Sequence, residues 1–300
     1  MSGSGHLARP APPSLTGFRY WSPGLAAFVP LWLLALLVVT PDPLGLIRAR
    51  ALYVVLGAAG AVVGNISAVG GGIVFIPAFV LLLHTPPVLA LKIALATQSL
   101  GMTSGAVGWL RAGRAPLRAL WVAAPGLLIG GAISSLVVHP SALLVKALFG
   151  PVSILVGVVA ILMALRRRGQ GRRDIPPEAT PVLFAFAVVG GLLTGWVAIG
   201  EGEVVAASLM IFYGVEASTA IALGVVLLAI NSIYLTVIHQ VWLGGVPWDY
   251  ALFTGFGAVF GARLAPWLAR FIPPVALKIG FGAIAIGDGT LCAFQWALVR

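Results

Sequence analysis

Charged residues are scarce in this chain. Asp, Glu, Lys and Arg make up only 9% of its 300 residues, whereas 60% are hydrophobic, and the mean hydropathy is +1.07. This composition excludes an ordinary soluble domain, in which about a quarter of the residues are charged. The apolar residues form runs of roughly twenty or more, separated by short Pro, Gly and Arg breaks. We therefore predict an all-α polytopic membrane protein.

The chain also has few residues suited to metal or redox chemistry. Cys292 is the only cysteine, so no intrachain disulfide can form. The four histidines are scattered without metal-ligand spacing. No HExxH, GxSxG or ATP-binding loop is present. These absences predict a protein that is not an enzyme and that carries no cofactor and no metal site.

The net charge of +10 is concentrated near the ends of the apolar runs. Five basic residues occupy a single stretch, "RRRGQGRRD" at 166–174. Basic residues in such positions anchor a membrane protein with its positive loops inside the cell. We therefore expect the lipid bilayer of a bacterial-type cytoplasmic membrane as the partner and no nucleic acid, while no feature indicates an oligomeric state.

The first fifty residues form a region separate from the repeats that follow. Residues 1–24 are polar and Pro-rich, so we expect them to be disordered. The apolar run 26–40 is either a signal peptide or a first transmembrane helix. Because "TPDPLG" follows it instead of a small-residue cleavage site, we predict a retained helix, giving residues 1–50 as tail and first span.

Two later apolar segments, 51–83 and 181–213, are too long for one crossing of a bilayer. Both have glycines near the middle, and "AVGGGIVFIP" disfavours a continuous helix. We predict that each is a broken helix or a re-entrant hairpin. The other expected spans are 88–109, 116–138, 142–165, 218–240, 250–270 and 275–297.

The chain repeats itself internally. "AVGGGIVFIPA" at 68–78 aligns with "AIGEGEVVAAS" at 198–208, and "KALFG" at 146–150 matches "KIGFG" at 278–282. These anchors predict two transmembrane repeats, 51–168 and 181–300, joined by a basic cytoplasmic linker at 169–180. The number of Lys and Arg residues on the cytoplasmic side is nearly the same whether the repeats are inverted or parallel. We predict inverted repeats, because a hairpin explains the length of each long segment and gives each half five membrane elements.

Interrupted helices at matching positions of two repeats indicate a transporter site where the breaks meet. Unwound backbone offers free N–H groups, and the start of a half-helix favours an anion. Glycines that serve only close helix packing are the alternative. The predicted substrate-binding residues are Asn65, Ser67, Gly70, Gly71, Gly72, Thr97, Gln98, Ser99, Gly200, Gly202 and Asn231.

Gly64, the GGG of 70–72 with Pro77 after it, "ALATQSL" at 94–100 and the "RAGR" loop together resemble the TauE/SafE family. The resemblance spans about residues 51–297 and implies a duplicated permease for sulfite, sulfonates and related organosulfur anions. The second repeat departs from the family pattern. Glu201 stands at the position matching Gly71, Glu203 matches Ile73, and Ala207 matches Pro77.

Glu201 and Glu203 lie in a strongly apolar stretch, where a carboxylate is costly unless it is protonated, paired or wetted. They could couple transport to protons, pair with Arg263 or Lys92, bind a cation such as Na⁺, or lie solvated at the interface. With Gly200 and Gly202 between them, we expect an extended stretch that projects both carboxyls to one face. The predicted ion-coupling residues are Glu201, Glu203, Arg263, Asp288 and Lys92.

The sequence therefore predicts a secondary transporter that moves a small anion, such as sulfite, an organosulfonate or an organic acid. We expect export coupled to a proton or Na⁺ gradient, with the substrate bound where the two glycine breaks meet. The alternatives are a cation-selective channel or cation transporter that uses Glu201 and Glu203 and, less favoured, an intramembrane enzyme.

Overall fold

The computed structural model describes residues 23–67, 70–165, 171–268, 271 and 274–298. Residues 1–22 of the predicted tail, residues 68 and 69 before the first glycine cluster, part of the basic linker and the last two residues lie outside these ranges. Residues 23 and 24, which were expected to be disordered, belong to the first helix. All helices and turns below belong to the described part, which contains no β-strand. The helices are α1 (Pro23–Val39), α2 (Pro43–Arg50), α3 (Leu52–Ser67), α4 (Gly72–Pro77), α5 (Pro87–Arg111), α6 (Leu117–Ala132), α7 (Ala142–Leu165), α8 (Thr180–Val197), α9 (Glu201–Tyr213), α10 (Ala217–Val241), α11 (Trp248–Leu268) and α12 (Pro274–Leu298).

Two helices change pitch before they end. α4 continues as a π-helix over Ala78–Leu82, and α6 continues as a π-helix over Ile133–Val137. A short 3₁₀ turn, Pro177–Ala179, precedes α8. Single π-helical turns are rare and often lie near functional sites.

Several helices are long and apolar enough to cross a membrane. Within the described residues four meet the criteria of length and hydropathy, and a fifth is added if the bent pair α1–α2 counts as one span. Large apolar side chains such as Leu34, Val38 and Trp121 are exposed on the outside of the bundle. An outer surface of this kind suits lipid contact, and the prediction of a polytopic helical membrane protein is confirmed.

Helix α2 is an element that the sequence analysis did not predict. It is bent by 108° relative to α1. The Asp42 side chain caps it by accepting a hydrogen bond from the Gly45 N–H at 2.9 Å, and Pro43 is its first residue. Asp followed by Pro is a recognisable helix start, so "TPDPLG" carried the signal.

Both long segments are broken helices, as predicted, and each folds into a hairpin. Tyr53 at the start of α3 stacks on Phe79 in the π-helix that ends the first segment, with ring centroids 5.7 Å apart. In the second segment the Arg172 N–H, just before α8, donates to the Gly214 carbonyl at 2.9 Å, just after α9. The two ends of each segment therefore lie together, and the breaks form the hairpin tips.

Two pairs of long helices pack antiparallel. A Cβ on Gly150 of α7 would lie 3.1 Å from the Gly289 carbonyl oxygen of α12, and one on Gly157 would lie 2.6 Å from the Gly282 oxygen. The order of these contacts reverses along the two helices. The contacts of α5 with α10 reverse in the same way. Gln98 of α5 is joined to Ser232, and Arg114, three residues after the end of α5, is joined to Ser218.

Two other pairs pack parallel. A Cβ on Gly257 of α11 would meet the Val54 carbonyl of α3 at 1.8 Å, and one on Gly261 would meet the Ala58 carbonyl at 2.3 Å. Helices α6 and α8 also run in one direction and join Gly126 with Phe184 and Gly130 with Val188. Glycine permits these backbones to touch, which is how small residues bring membrane helices together.

Candidate functional site

The tips of the two hairpins meet inside the bundle. A Cβ on Gly72, the first residue of α4, would lie only 2.2 Å from the carbonyl oxygen of Ala198. Ala198 ends α8 with a left-handed φ of 54°, and Gly200 has a φ of 104°. These left-handed residues turn the chain sharply between α8 and α9. The turn brings the second tip, 198–200, against the first.

Gln98 of α5 joins the second tip to α10. Its side-chain amide donates to the Ala198 carbonyl at 2.7 Å, and its oxygen accepts from the Ser232 hydroxyl at 3.2 Å. Gly70 lies beside it, with a φ of 86° that favours glycine. Gln98, Ser232 and Ala198 are all buried. The structure thus brings Gln98 and the predicted first-half glycines together at the second tip.

The other polar residues predicted from the first repeat lie around this point. Thr97 is hydrogen-bonded to Thr254 of α11, whereas the Ser99 hydroxyl donates to Ala96 in its own helix. The amide of Asn65 donates to the Ala61 carbonyl at 2.9 Å. Helix α3 ends at Ser67, whose side chain lies outside the described part. Thr97 therefore joins α5 to α11, and the Ser99 hydroxyl is bonded within α5.

Glu201 is fully buried at the start of α9. Its Oε2 accepts a hydrogen bond from the Asn231 amide at 2.6 Å. Gly190 makes room for it, because a Cβ there would lie 2.9 Å from the Glu201 Cα. The other carboxyl oxygen, Oε1, has no hydrogen-bond partner. Asn231, predicted from the sequence, is thus brought to Glu201.

The predicted extended stretch around the glutamates is wrong. Residues 201–203 form the first turn of α9, in which the Val204 N–H donates to the Gly200 carbonyl at 2.9 Å. Residues two apart on a helix are rotated by about 200°, so the two carboxyls point to different sides. Glu203 is 6% exposed, and neither of its carboxyl oxygens has a hydrogen-bond partner.

Gly200 and Gly202 have different local roles. Gly200 supplies the left-handed turn between α8 and α9. Gly202 packs against α10, because a Cβ on Gly224 would lie 3.0 Å from the Gly202 Cα. The interleaved glycines therefore turn the chain and bring two helices close.

The basic residues considered as partners of the glutamates contact other groups. Lys92 donates to the Leu243 carbonyl, and the Arg263 Nε donates to the Ser104 hydroxyl at 3.1 Å. Asp288 lies on α12, the helix that packs on α7. Over the part of the chain that the structure describes, the salt bridges do not include Glu201 or Glu203.

A charged network at the base of the second hairpin was missed by the sequence analysis. Glu216 accepts hydrogen bonds from Ser218 at 2.7 Å and from Arg173 at 3.2 Å, and Arg114 lies 3.5 Å away. The Ser218 hydrogen bond, followed by the charges of Arg173 and Arg114, lowers the pKa of Glu216. We call the end of the bundle with Arg114 and Arg173 the arginine end.

A second network lies at the opposite end, beside the base of the first hairpin. Arg50 forms a salt bridge with Asp249 at 3.2 Å. Its guanidinium also lies 3.7 Å from the centre of the Tyr250 ring. Tyr250 in turn contacts Tyr53 and Phe79 of the first hairpin. A network therefore holds the base of each hairpin to the rest of the bundle.

This arrangement is closed around its polar centre. Glu201, Asn231, Gln98 and the three glycines of the first tip are all buried. Across the described ranges no three His, Cys, Asp or Glu side chains are grouped to hold a metal ion. The polar groups available at this site are the backbone of the two tips, the side-chain amides of Gln98 on α5 and Asn231 on α10, and the carboxyls of Glu201 and Glu203.

Neither a curated protein nor a solved structure matches the chain. One family model does match, that of the sulfite exporter TauE/SafE family, over residues 53–289. The match covers most of the chain and includes both hairpins, so the predicted resemblance is confirmed. Proteins of this family are membrane transporters that export sulfite or related anions. The chain belongs to the sulfite exporter TauE/SafE family.

Proposed function

We propose that this protein is a secondary transporter that exports sulfite, an organosulfonate or a similar small organic acid across the cytoplasmic membrane. Transport is coupled to a proton or Na⁺ gradient. The substrate binds where the hairpin tips meet, beside Gly70–Gly72, Gln98 and Ala198. The observation that carries the proposal is the meeting of two broken-helix tips next to buried carboxyls, within a family of anion exporters.

The proposal includes two inverted repeats, α3–α7 and α8–α12. In each, a hairpin is followed by three long helices. The corresponding helices α5 and α10 run antiparallel, and so do α7 and α12. In these repeats α3 corresponds to α8, and α6 corresponds to α11. Helix α3 packs on α11, and correspondingly α8 packs on α6. This exchange of partners is what an inverted duplication produces, and such halves support alternating access.

The direction of the helices also bears on orientation. α8 and α10 start, and α5 ends, at the arginine end. The basic stretch 166–174 immediately precedes α8. The positive-inside rule places this end in the cytoplasm. The second hairpin then enters from the cytoplasm, and the first hairpin enters from the other side.

The buried glutamates supply the reason for ion coupling. An ionised carboxylate without a cation costs several kcal/mol in a low-dielectric interior. An anionic substrate at the tips would add repulsion. A proton or a bound cation on Glu201 removes both costs, so the cation and the anion bind together and cross in the same direction. Outward sulfite flux is then driven by a cation gradient imposed in that same direction. Linkage of this kind is the thermodynamic basis of coupled transport.

The test uses purified protein in proteoliposomes loaded with sulfite, under imposed H⁺ or Na⁺ gradients. We expect saturable sulfite flux that depends on one of the gradients. Glu201→Gln should abolish the gradient dependence, because a neutral amide can neither take up a proton nor balance a cation. The matched control is Glu178→Gln, which changes an exposed carboxyl in the 3₁₀ turn just before α8.

A cation channel or cation transporter is the second candidate, favoured by the two buried carboxyls on α9. A channel would pass a cation current without a sulfite gradient and without saturation. Sulfite flux that stays coupled in Glu201→Gln removes Glu201 from the coupling. If sulfite does not move under any gradient, the anion-exporter proposal fails.

A further inference from the structure

Several buried oxygen atoms around Glu201 have no hydrogen-bond partner. They are Oε1 of Glu201, the side-chain oxygen of Asn231 and the hydroxyl of Thr194. All three side chains are 0% exposed. Buried polar atoms in proteins are nearly always paired, so a group of unpaired ones indicates that something else occupies the site.

The fold brings these atoms together from three helices. Thr194 lies on α8 one turn after Gly190, and its hydroxyl lies beside the Glu201 carboxyl without forming a hydrogen bond of normal geometry. A Cβ on Gly190 would lie 2.9 Å from the Glu201 Cα. Asn231 reaches Glu201 from α10. Gly131 of α6 leaves space for Asn231, because a Cβ there would lie 2.9 Å from the side-chain oxygen. The cluster is therefore closed by the glycines of α6 and α8.

A further unpaired hydroxyl borders the cluster on α6. Ser135 is fully buried, and its hydroxyl has no partner. It follows Gly131 by one turn and lies in the π-helical segment Ile133–Val137. Its Oγ is 3.4 Å from where a Cβ on Gly195 would be. Ser135 thus lies on the side of α6 that packs on α8, one turn beyond the glycine that meets Asn231.

We infer that Glu201, Asn231, Thr194 and Ser135 form a site for one Na⁺ ion, which is the coupling ion of the proposed transporter. The unpaired atoms are all oxygens, the ligands preferred by hard cations. A proton on Glu201 would pair at most Oε1 and one acceptor. A bound Na⁺ satisfies the carboxylate, the amide oxygen and the hydroxyls together.

The local charges favour a monovalent ion. Glu203 points to another side of α9, so Glu201 supplies the only carboxylate of the cluster. Thr194 lies in the last turn of α8, whose free carbonyls carry partial negative charge. The start of α9 carries partial positive charge, which opposes a cation and makes the Glu201 charge necessary. One positive charge therefore balances the Glu201 carboxylate.

The role as coupling ion rests on the proposed function, whereas the cation site itself rests on the contacts alone. The first measurement is therefore binding to the purified protein. The melting temperature is followed as NaCl replaces choline chloride at constant ionic strength, with KCl as a parallel series. We expect a saturable rise with NaCl only, because a ligand that binds the native state stabilises it.

Two matched hydroxyl variants test the site without removing its charge. Thr194→Val should weaken the apparent Na⁺ affinity about tenfold or more, since it removes an oxygen from a buried charge. Thr236→Val is the control, because that buried hydroxyl bonds the Ser232 carbonyl within its own helix. Glu201→Gln should abolish the Na⁺ response, while its melting in choline chloride reports whether it is folded.

Sulfite flux in proteoliposomes separates this inference from the proposed function. Flux driven by a Na⁺ gradient and lost in Thr194→Val supports both. Flux driven by H⁺ alone, with no melting response to NaCl, overturns the Na⁺ site and leaves the exporter proposal intact. A Na⁺ response without any sulfite flux keeps the site and overturns the exporter. An equal Na⁺ response in Thr194→Val and Thr236→Val also overturns the site.

Discussion

Replacing Gly72 by Ala tests whether contact between the hairpin tips is needed for transport. The added Cβ would lie 2.2 Å from the Ala198 carbonyl oxygen, whereas ordinary contact begins at 3.4 Å. One tip must therefore move by about 1.2 Å to reach ordinary packing. The obstacle is backbone held by the Gln98 hydrogen bond, so a change of side-chain rotamer cannot relieve it.

The expected cost follows from two opposing effects. Gly72 is the first residue of α4, and Ala favours a helix over Gly by at most about 1 kcal/mol. Overpacking a tight contact costs about 1–3 kcal/mol. The cost of overpacking therefore exceeds the gain in helix propensity. We expect a melting temperature lower by a few degrees, at roughly 2–4 °C per kcal/mol.

The assay compares Gly72→Ala with Gly108→Ala in melting and in sulfite flux. Gly108 lies in α5, and a Cβ there would have nothing within 4 Å. We expect the control to melt and transport like the wild type, or to be slightly more stable. Gly72→Ala should lose most of its flux even at temperatures where it remains folded, because the tips cannot close. Wild-type flux and melting in Gly72→Ala would refute the view that the tips must touch.

The remaining predictions concern the first tip and the arginine end. Gly71→Leu should raise the sulfite concentration that half-saturates flux, because the side chain fills the break; unchanged saturation would mean that the glycine serves packing alone. Glu216→Gln should lower the melting temperature at neutral pH, since the Ser218 hydroxyl and two arginines hold the pKa of Glu216 below its ordinary 4.5. Its stabilising effect is full above that value and is lost as pH falls through the lower folded pKa. The wild type and variant should therefore converge on acidification, and a gap in melting temperature that persists in acid would contradict this assignment.

Much of the helical architecture could be predicted, because hydropathy and helix breakers act locally. The apolar runs 88–109 and 218–240 became α5 and α10 with shifts of at most a few residues. The breaks in 51–83 and 181–213 appear at their glycines for the same reason. The duplication stays a prediction based on aligned anchors, with the exchange of helix partners as its support.

The details of the site were harder to predict, because they depend on which helix faces which. Glycines around Glu201 and Glu203 suggested extended backbone, yet the helix resumes at Glu201, and the Val204 N–H already donates to the Gly200 carbonyl. Thr97, Gln98 and Ser99 are adjacent in sequence. Their rotation about α5 sends only Gln98 to the second tip.

The sequence by itself determined that this chain crosses a membrane as broken and unbroken helices, and it identified the family. Those properties follow from the cost of placing polar backbone and charge in lipid, which each segment meets individually. Only the tertiary structure decided that the tips touch and that Glu201 faces Asn231 and Thr194 instead of Lys92 or Arg263. Such contacts join residues from separate helices, and their geometry is determined by the glycine-mediated packing of the whole bundle.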